Sequence, residues 1–366
     1  MKGLLRLTYF AILLAAVVVS LGAYTRLTEA GLGCPDWPGC YGFLSVPTSE
    51  AQQAAANSAF PNAPIEEEKA WNEMIHRYVA GTLGLLILAL TVFAWRVPLA
   101  PKKHALGLLA TVVFQAVLGM WTVTMNLLPI VVMGHLAGGF TVLSLLVLFA
   151  LRLRQRLPKE NDASSEPAHE SVKPNVVISL ASARTPSYPS TSSWQPWLVF
   201  ALLCVIGQIL LGGWTSANYA AVVCTQLPFC EVDWLSSYNV GAFSPLQGDH
   251  ETYQYGVLNY TDRVSIHVTH RIGALVTALA VLIMVVKMWS QHELRGLLLL
   301  CAGLLIIQIT LGVLNVVLSL PLGVALAHHF VAACLLQAVI ITNYHYALLK
   351  TSISSDTSLL SRRTYG

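Results

Sequence analysis

The sequence predicts an all-α polytopic membrane protein, with eight transmembrane helices arranged as two pseudo-symmetric four-helix bundles. Three observations carry that prediction. The 366-residue chain is 55% hydrophobic and only 11% charged, whereas soluble domains average about 25% charged residues. Eight apolar runs are long enough to span, a helix needing roughly 20 such residues to cross the hydrocarbon core. The order of motifs in residues 1–152 returns in residues 194–350. The expected surroundings are a lipid bilayer, and a net charge of only +3 gives no reason to expect nucleic acid.

The first run, about residues 7–25, follows Lys2 and Arg6. A charged start before an apolar run is also the pattern of a cleaved signal peptide. The run stays apolar to Tyr24 and has a counterpart later in the chain, which favours a retained span. Runs at 75–95, 105–127 and 130–151 complete an N-terminal bundle, residues 1–152. Residues 153–193 are rich in Ser, Pro and charge, have no helical period, and read as a cytoplasmic linker. Runs at 195–217, 264–288, 294–316 and 322–349 form a C-terminal bundle, residues 194–350, before a cytoplasmic tail at 351–366. With a cytoplasmic N-terminus, sixteen of the 21 Lys and Arg residues fall on the cytoplasmic side; Arg26, Lys69, Arg77, Arg263 and Arg271 do not. That asymmetry follows the positive-inside rule and puts both termini in the cytoplasm.

The two halves read as copies. Gly22-Ala-Tyr-Thr25 precedes one cysteine pair and Gly212-Gly-Trp-Thr215 another. Long outer loops, 28–72 and 218–263, lead to His76-Arg77 and His270-Arg271. Gln115-Ala-Val-Leu-Gly119 answers Gln308-Ile-Thr-Leu-Gly312, with His135 and His328 each twenty residues after the glutamine. Repeats related by an axis along the membrane normal suit a unit with an even number of spans. Gly81, Gly84, Gly138, Gly139, Gly273 and Gly323 are candidates for close helix contacts, although packing alone is the blander role for any one of them.

Ionisable groups are expensive in a bilayer, so an ordered set of four histidines points to a site. A lone intramembrane histidine is more often a hydrogen-bonded helix contact. Four at repeated positions, two per half and each near the outer end of its span, favour metal or haem. Imidazoles paired across a bundle suit an iron porphyrin, whereas bare zinc or copper usually takes three or four ligands. Arg77 and Arg271 suit a porphyrin propionate or act as snorkelling anchors. His329 adjoins His328, but adjacent helical residues point about 100° apart, and the Gln308 register favours His328. His267, one turn before His270, is a candidate supporting group; His104, His169, His250 and His292 read as solvated.

Glu73, one turn before His76, has no carboxylate counterpart in the second half, where His267 stands. It is a candidate proton acceptor, or simply a favourable charge near a helix N-terminus. Glu66, Glu67 and Glu68 read as a solvated face. Cys34 and Cys40 enclose five residues, as do Cys224 and Cys230, and pairs outside the cytoplasm normally oxidise to disulfides. Stapling is the plain role; a redox role for Cys34 and Cys40 is the alternative. Cys204, Cys301 and Cys334 read as packing residues.

Together these motifs resemble the haem A synthase family: Gly22-Ala-Tyr-Thr-Arg-Leu-Thr-Glu-Ala-Gly-Leu, Glu73-x-x-His76-Arg77, the Gly119 and Gly312 helices, His270-Arg271 and Ala325-Leu-Ala-His328. The resemblance spans nearly the whole chain apart from the linker and tail. It implies oxidation of a methyl group of haem O to the formyl group of haem A, with water rather than dioxygen supplying the oxygen. It implies that His76 and His135 flank the substrate haem, that His270 and His328 ligate a resident haem b, and that Glu73 assists proton removal. Cys34 and Cys40 match a pair suspected of passing electrons in bacterial members. One departure is His329, where many relatives have Gln, which leaves His328 and His329 both open as ligand. The resemblance implies the bacterial inner membrane, with haem sites near the periplasmic side. Fitting partners are haem O synthase, cytochrome oxidase assembly factors, a quinone or other electron acceptor, and a second copy of the chain.

Two rival classes remain. A di-haem b-type electron-transfer cytochrome would typically place haems near both faces, whereas all four histidines here lie near one. A repeat-built transporter favours broken helices at mid-depth, and no pair of runs is so interrupted.

Overall fold

The computed structural model describes residues 1–157, 195–228, 230 and 232–364, excluding the side chains of 351–364. The linker expectation lies almost wholly outside the described residues. Among these, nine α-helices occur in order: α1 Lys2–Leu27, α2 Glu50–Ala59, α3 Glu67–Arg96, α4 Lys102–Thr124, α5 Pro129–Gln155, α6 Gln195–Ala217, α7 Tyr260–Met288, α8 Arg295–Val317 and α9 Leu322–Thr364. All except α2 are long and apolar enough to cross a membrane. They match the eight apolar runs, with α3 and α7 starting earlier and α9 continuing through the expected tail.

Local chemistry sets the ends. Pro129 opens α5, where a missing N–H costs nothing. The Asn259 side chain caps α7 by accepting from the Asp262 N–H. Hydroxyls within spans bond backward along their own helices, as Thr8 does to the Leu4 carbonyl and Thr342 to that of Ala338. Those hydroxyl hydrogens are thereby kept from facing hydrocarbon unpaired. Large apolar side chains such as Leu13, Leu85, Ile306 and Val286 face outward, where a bilayer covers them.

Each set of four spans closes on itself. In the first half α1 packs on α3 and α5, and α4 packs on both. In the second, α6 packs on α7 and α9, and α8 packs on both. Thus α3 stands across from α5, and α7 across from α9. The halves meet where α1 and α5 touch α9 and where α5 touches α6. One apolar cluster, including Ala11, Phe149, Leu198 and Val339, runs through both.

Local backbone features repeat as well. Glu29 and Tyr219 both take positive φ, 57° and 53°. The N–H groups of Ala30 and Ala220 then bond the carbonyls of Thr25 and Thr215, each at 2.9 Å. Asn126-Leu127 and Ser319-Leu320 repeat a two-residue left-handed turn after α4 and α8.

The first long loop is more built than expected. Helix α2 lies within it, closed by a capping box between Ser49 and Gln52. Cys34, Cys40, Tyr41, Val46 and Ala56 pack on Ala70 and Met74 at the start of α3. Burial, then the negative charges of Glu66, Glu73 and Asp36, raises the Tyr41 phenol above its usual pKa. It stays a donor, to the Pro64 carbonyl at 3.0 Å.

The glycine expectations divide. Gly138 and Gly273 make close contacts, but with glutamine side chains: a Cβ there would collide with the amide oxygens of Gln115 and Gln208. Gly139 has ordinary contacts with Gln115 and Val19, while Gly81, Gly84 and Gly323 face open space. No close helix contact therefore depends on the missing side chain at those three positions.

Candidate functional site

The site is built on the early turns of α3, α5, α7 and α9. His76 and His135 meet across the first ring of helices, their ring centroids 6.4 Å apart and inclined at 84°. One metal held between two ring nitrogens at about 2.0–2.1 Å each would put the centroids roughly 6 Å apart. The pair therefore fits an iron porphyrin gripped from both sides. In the second ring, His270 lies within electrostatic range of His328, His267 and Arg271. Among the described residues no group of three or more His, Cys, Asp or Glu side chains gathers as a metal cluster.

Each of the four rings lies on a glycine of a neighbouring helix. A Cβ at Gly22, Gly119, Gly212 or Gly312 would stand 3.1–3.2 Å from Cε1 of His76, His135, His270 or His328 respectively. The glycine lets the imidazole lie against backbone; a larger residue would push the ring into the centre. Glutamine sets the ring orientation in three cases. The Gln115 amide nitrogen is 3.1 Å from Nδ1 of His135 and donates to the His135 carbonyl. Gln208 does the same for His270, at 3.1 and 3.0 Å. Gln308 lies 3.2 Å from Nε2 of His328. His329 turns away, edge-on to Phe140 of α5 at 5.2 Å, so His328 is the residue that faces the second ring.

Glu73 is buried, 4% exposed. One oxygen pairs with the Arg77 guanidinium at 2.5 Å, and the other accepts from the Cys34 N–H at 2.9 Å. It sits well inside α3, past the first turn, where the acids are Glu67 and Glu68. The helix-terminus explanation therefore does not apply to it. Arg77 also donates to the carbonyls of Asp36, Pro38 and Gly39. Glu73 and Arg77 thus join the Cys34–Cys40 loop to the turn that carries His76. In the second half, His267 Nδ1 lies 2.7 Å from the Ala220 carbonyl, and Arg271 donates to the carbonyls of Cys224 and Gln226.

Both cysteine pairs are disulfides, Cys34–Cys40 and Cys224–Cys230. Cys34 and Cys40 are completely buried, so a soluble thiol reaches them only if the loop opens. Cys204, Cys301 and Cys334 are free, Cys301 buried and the others partly so. Glu66–Glu68 are exposed, with Glu66 paired to Lys69. His250 and His292 are exposed as expected, and His169 lies outside the described residues. His104 is a correction: it is half-buried between the Leu145 carbonyl and Arg152, because α4 packs that end against α5.

Sequence reasoning missed two things. The glycines at 22, 119, 212 and 312 were legible as repeat markers but not as beds for the rings. Gln208 went unread, although Gln208-Ile-Leu-Leu-Gly212 has the Gln-x-x-Leu-Gly spacing of residues 115–119 and 308–312.

The family model of the COX15-CtaA cytochrome oxidase assembly proteins matches residues 5–340. The heme A synthase of Shewanella oneidensis is 48% identical over 342 residues, covering 93% of this chain and 95% of that protein. The heme A synthases of Chelativorans sp. and Neorickettsia sennetsu are 27% and 24% identical, over 90% and 89% of this chain and 86% and 93% of theirs. With the match running through both halves and all four histidine-bearing helices, the chain belongs to the COX15-CtaA family of cytochrome oxidase assembly proteins.

Proposed function

We propose that this chain is an oxidoreductase that converts haem O to haem A in the first half, with a haem b resident in the second. The observation that carries this reading is the His76–His135 pair, spaced for one shared metal, with a buried carboxylate one turn away in that half only. Overall, a ring methyl and one water become a formyl group, and four electrons and four protons leave. Haem b bound by His270 and His328 would supply one-electron chemistry for passing those electrons to an acceptor such as a quinone.

The chain's own groups have separate tasks. His76 and His135 hold and orient the substrate. Glu73 takes protons, with Arg77 keeping the carboxylate aimed and the Cys34–Cys40 loop covering the site. Arg77 and Arg271 place positive charge beside the histidines, suited to propionates, while their N–H groups hold the loops. The Lys and Arg distribution and the bacterial relatives support an inner-membrane protein with cytoplasmic termini and its haem sites toward the periplasm. Haem O synthase, oxidase assembly factors and a second copy of the chain are the partners this reading proposes.

The test is haem extraction and chromatography from a host already making haem O, with and without the gene. Haem A should appear only with the gene, and His76→Ala should remove it while a low-spin haem b spectrum persists. His270→Ala should remove that spectrum. Haem A formed by His76→Ala at the unsubstituted level, or a full b spectrum in His270→Ala, overturns the assignment of that half.

A further inference from the structure

Three of the four histidines share one neighbour set, and the fourth breaks it. His135, His270 and His328 each face a helix reading Gln-x-x-Leu-Gly, at Gln115–Gly119, Gln208–Gly212 and Gln308–Gly312. In each, the glutamine contacts the ring one turn before the glycine that beds it. Helix α1 offers His76 the sequence Val18-Val-Ser-Leu-Gly22. Its Leu-Gly is in place, and Gly22 beds His76 at the same 3.1 Å as Gly119 beds His135. The position of the glutamine, however, is Val18. Nδ1 is buried without a hydrogen-bond partner in both His76 and His328, but His328 still meets Gln308 through Nε2, whereas among the described residues His76 has no amide at either ring nitrogen.

A second position changes with it. Three residues past His135 and His270 stand Gly138 and Gly273, which leave room for the amides of Gln115 and Gln208. Three residues past His76 stands Val79. Helix α9 is intermediate: Val331 follows His328, Gln308 is kept, and the amide reaches Nε2 instead of Nδ1. First-half α1 and α3 thus lack both the amide and the glycine that makes room for it.

From this we infer that Val18 and Val79 make His76 the one exchangeable ligand of the four. Through it, the porphyrin that is modified enters and leaves, while the amide-held histidines retain theirs. The inference rests on the first half being the substrate side. Its physical basis is general. A partner on the second ring nitrogen fixes the imidazole's orientation and raises its basicity, and losing such a partner typically costs about 10–100-fold in metal affinity. An enzyme whose substrate and product are both iron porphyrins needs that loss on one side only.

The experiment is haem release from purified protein in nanodiscs to excess apomyoglobin, followed by absorbance, in the haem-loaded unsubstituted protein and variants. Two phases are expected, a fast one from the first half and a slow one from the second. His76→Ala should abolish the fast phase; if it does not, the substrate-side reading itself fails. Given that, Val18→Gln should slow the fast phase about 10-fold or more, and Val18→Gln with Val79→Gly should slow it further. Val18→Ile, which adds no amide, should leave it unchanged. The converse variant, Gln208→Val, should accelerate the slow phase by a similar factor. A fast phase unmoved by both glutamine variants, or a slow phase unmoved by Gln208→Val, overturns the inference and leaves the substrate-side reading standing.

Discussion

Glu73 and His267 occupy matching positions, one turn before His76 and His270, and do the same mechanical task with opposite chemistry. Each ties a long disulfide-bearing loop onto its helix. The carboxylate of Glu73 accepts from the Cys34 N–H, and the ring of His267 meets the Ala220 carbonyl. Each has an arginine four residues on that grips carbonyls inside its disulfide loop. The difference teaches that the fold does not require an acid there, because the second half anchors its loop without one. A buried carboxylate paired with arginine is a weak source of stability, since desolvation offsets most of the attraction. The proposed proton chemistry would account for its presence in the first half.

The largest predicted effect breaks that comparison directly. Glu73→Gln keeps an acceptor for the Cys34 N–H and removes the charge. It should retain bound haem in both halves while haem A formation falls at least ~100-fold, within the usual contribution of a positioned acid or base. Glu73→His imports the second half's solution and should behave alike. Glu73→Ala should also destabilise the protein, by about 3 kcal/mol for stranding a mostly buried guanidinium, softened by the three carbonyls Arg77 retains. Extracted haem and the thermal midpoint separate the two effects. Full product yield from Glu73→Gln would make the carboxylate an anchor and nothing more.

How much of this was legible beforehand depends on what kind of force each feature rests on. Span number and order followed from apolar run length, because a bilayer leaves helices little alternative. The four histidines as candidate ligands followed from the cost of placing histidine in such runs. The loops did not: α2 and the cluster around Cys34 and Tyr41 form by long-range packing on Ala70 and Met74, which a polar, irregular stretch does not advertise. Helices α3 and α7 begin before their apolar runs for a related reason. Hydropathy marks where hydrocarbon begins, whereas Glu67-Glu68 and the Asn259 cap mark where the helix begins. Gly81, Gly84 and Gly323 show the limit of composition alone, since a small residue permits a contact without making one.

A middle-sized effect sharpens the contrast between the loops. Closing a loop of this length with a disulfide stabilises by about 2 kcal/mol, and in both pairs the second cysteine is six positions after the first. Equal loop length predicts similar stability losses for Cys34→Ser/Cys40→Ser and for Cys224→Ser/Cys230→Ser. Their effects on haem A formation should differ, because Cys34 carries the N–H that positions Glu73 and Cys224 touches no such group. The first pair should lower product by about 10-fold, and the second should alter it less than twofold once protein levels are matched. Equal losses would separate the disulfide from the carboxylate.

The smallest effect concerns what joins the halves. Their apolar contact gains little over lipid, which is as apolar as the helices themselves, so polar contacts at the ends have leverage on register. Arg26, at the end of α1, donates to the Tyr219 hydroxyl and the Ser216 carbonyl, both at 2.6 Å, and lies 4.0 Å over the Tyr219 ring. No matching clasp is available in reverse, since the position that repeats Arg26 in the second half is Ser216, one of its acceptors. Arg26→Ala should cost about 1–2 kcal/mol in the thermal midpoint, the range for charged hydrogen bonds with a cation–π contact at a partly exposed site. Arg26→Lys should recover part of it, because an ammonium keeps the charge but lacks the planar fork that reaches two acceptors while stacking on a ring. Since neither variant touches a histidine, both should leave the haem b spectrum in place. A midpoint unmoved by Arg26→Ala would leave the register of the two halves to the helix packing and to the other polar contacts between them, such as those of Asn126 with Glu251 and Tyr253.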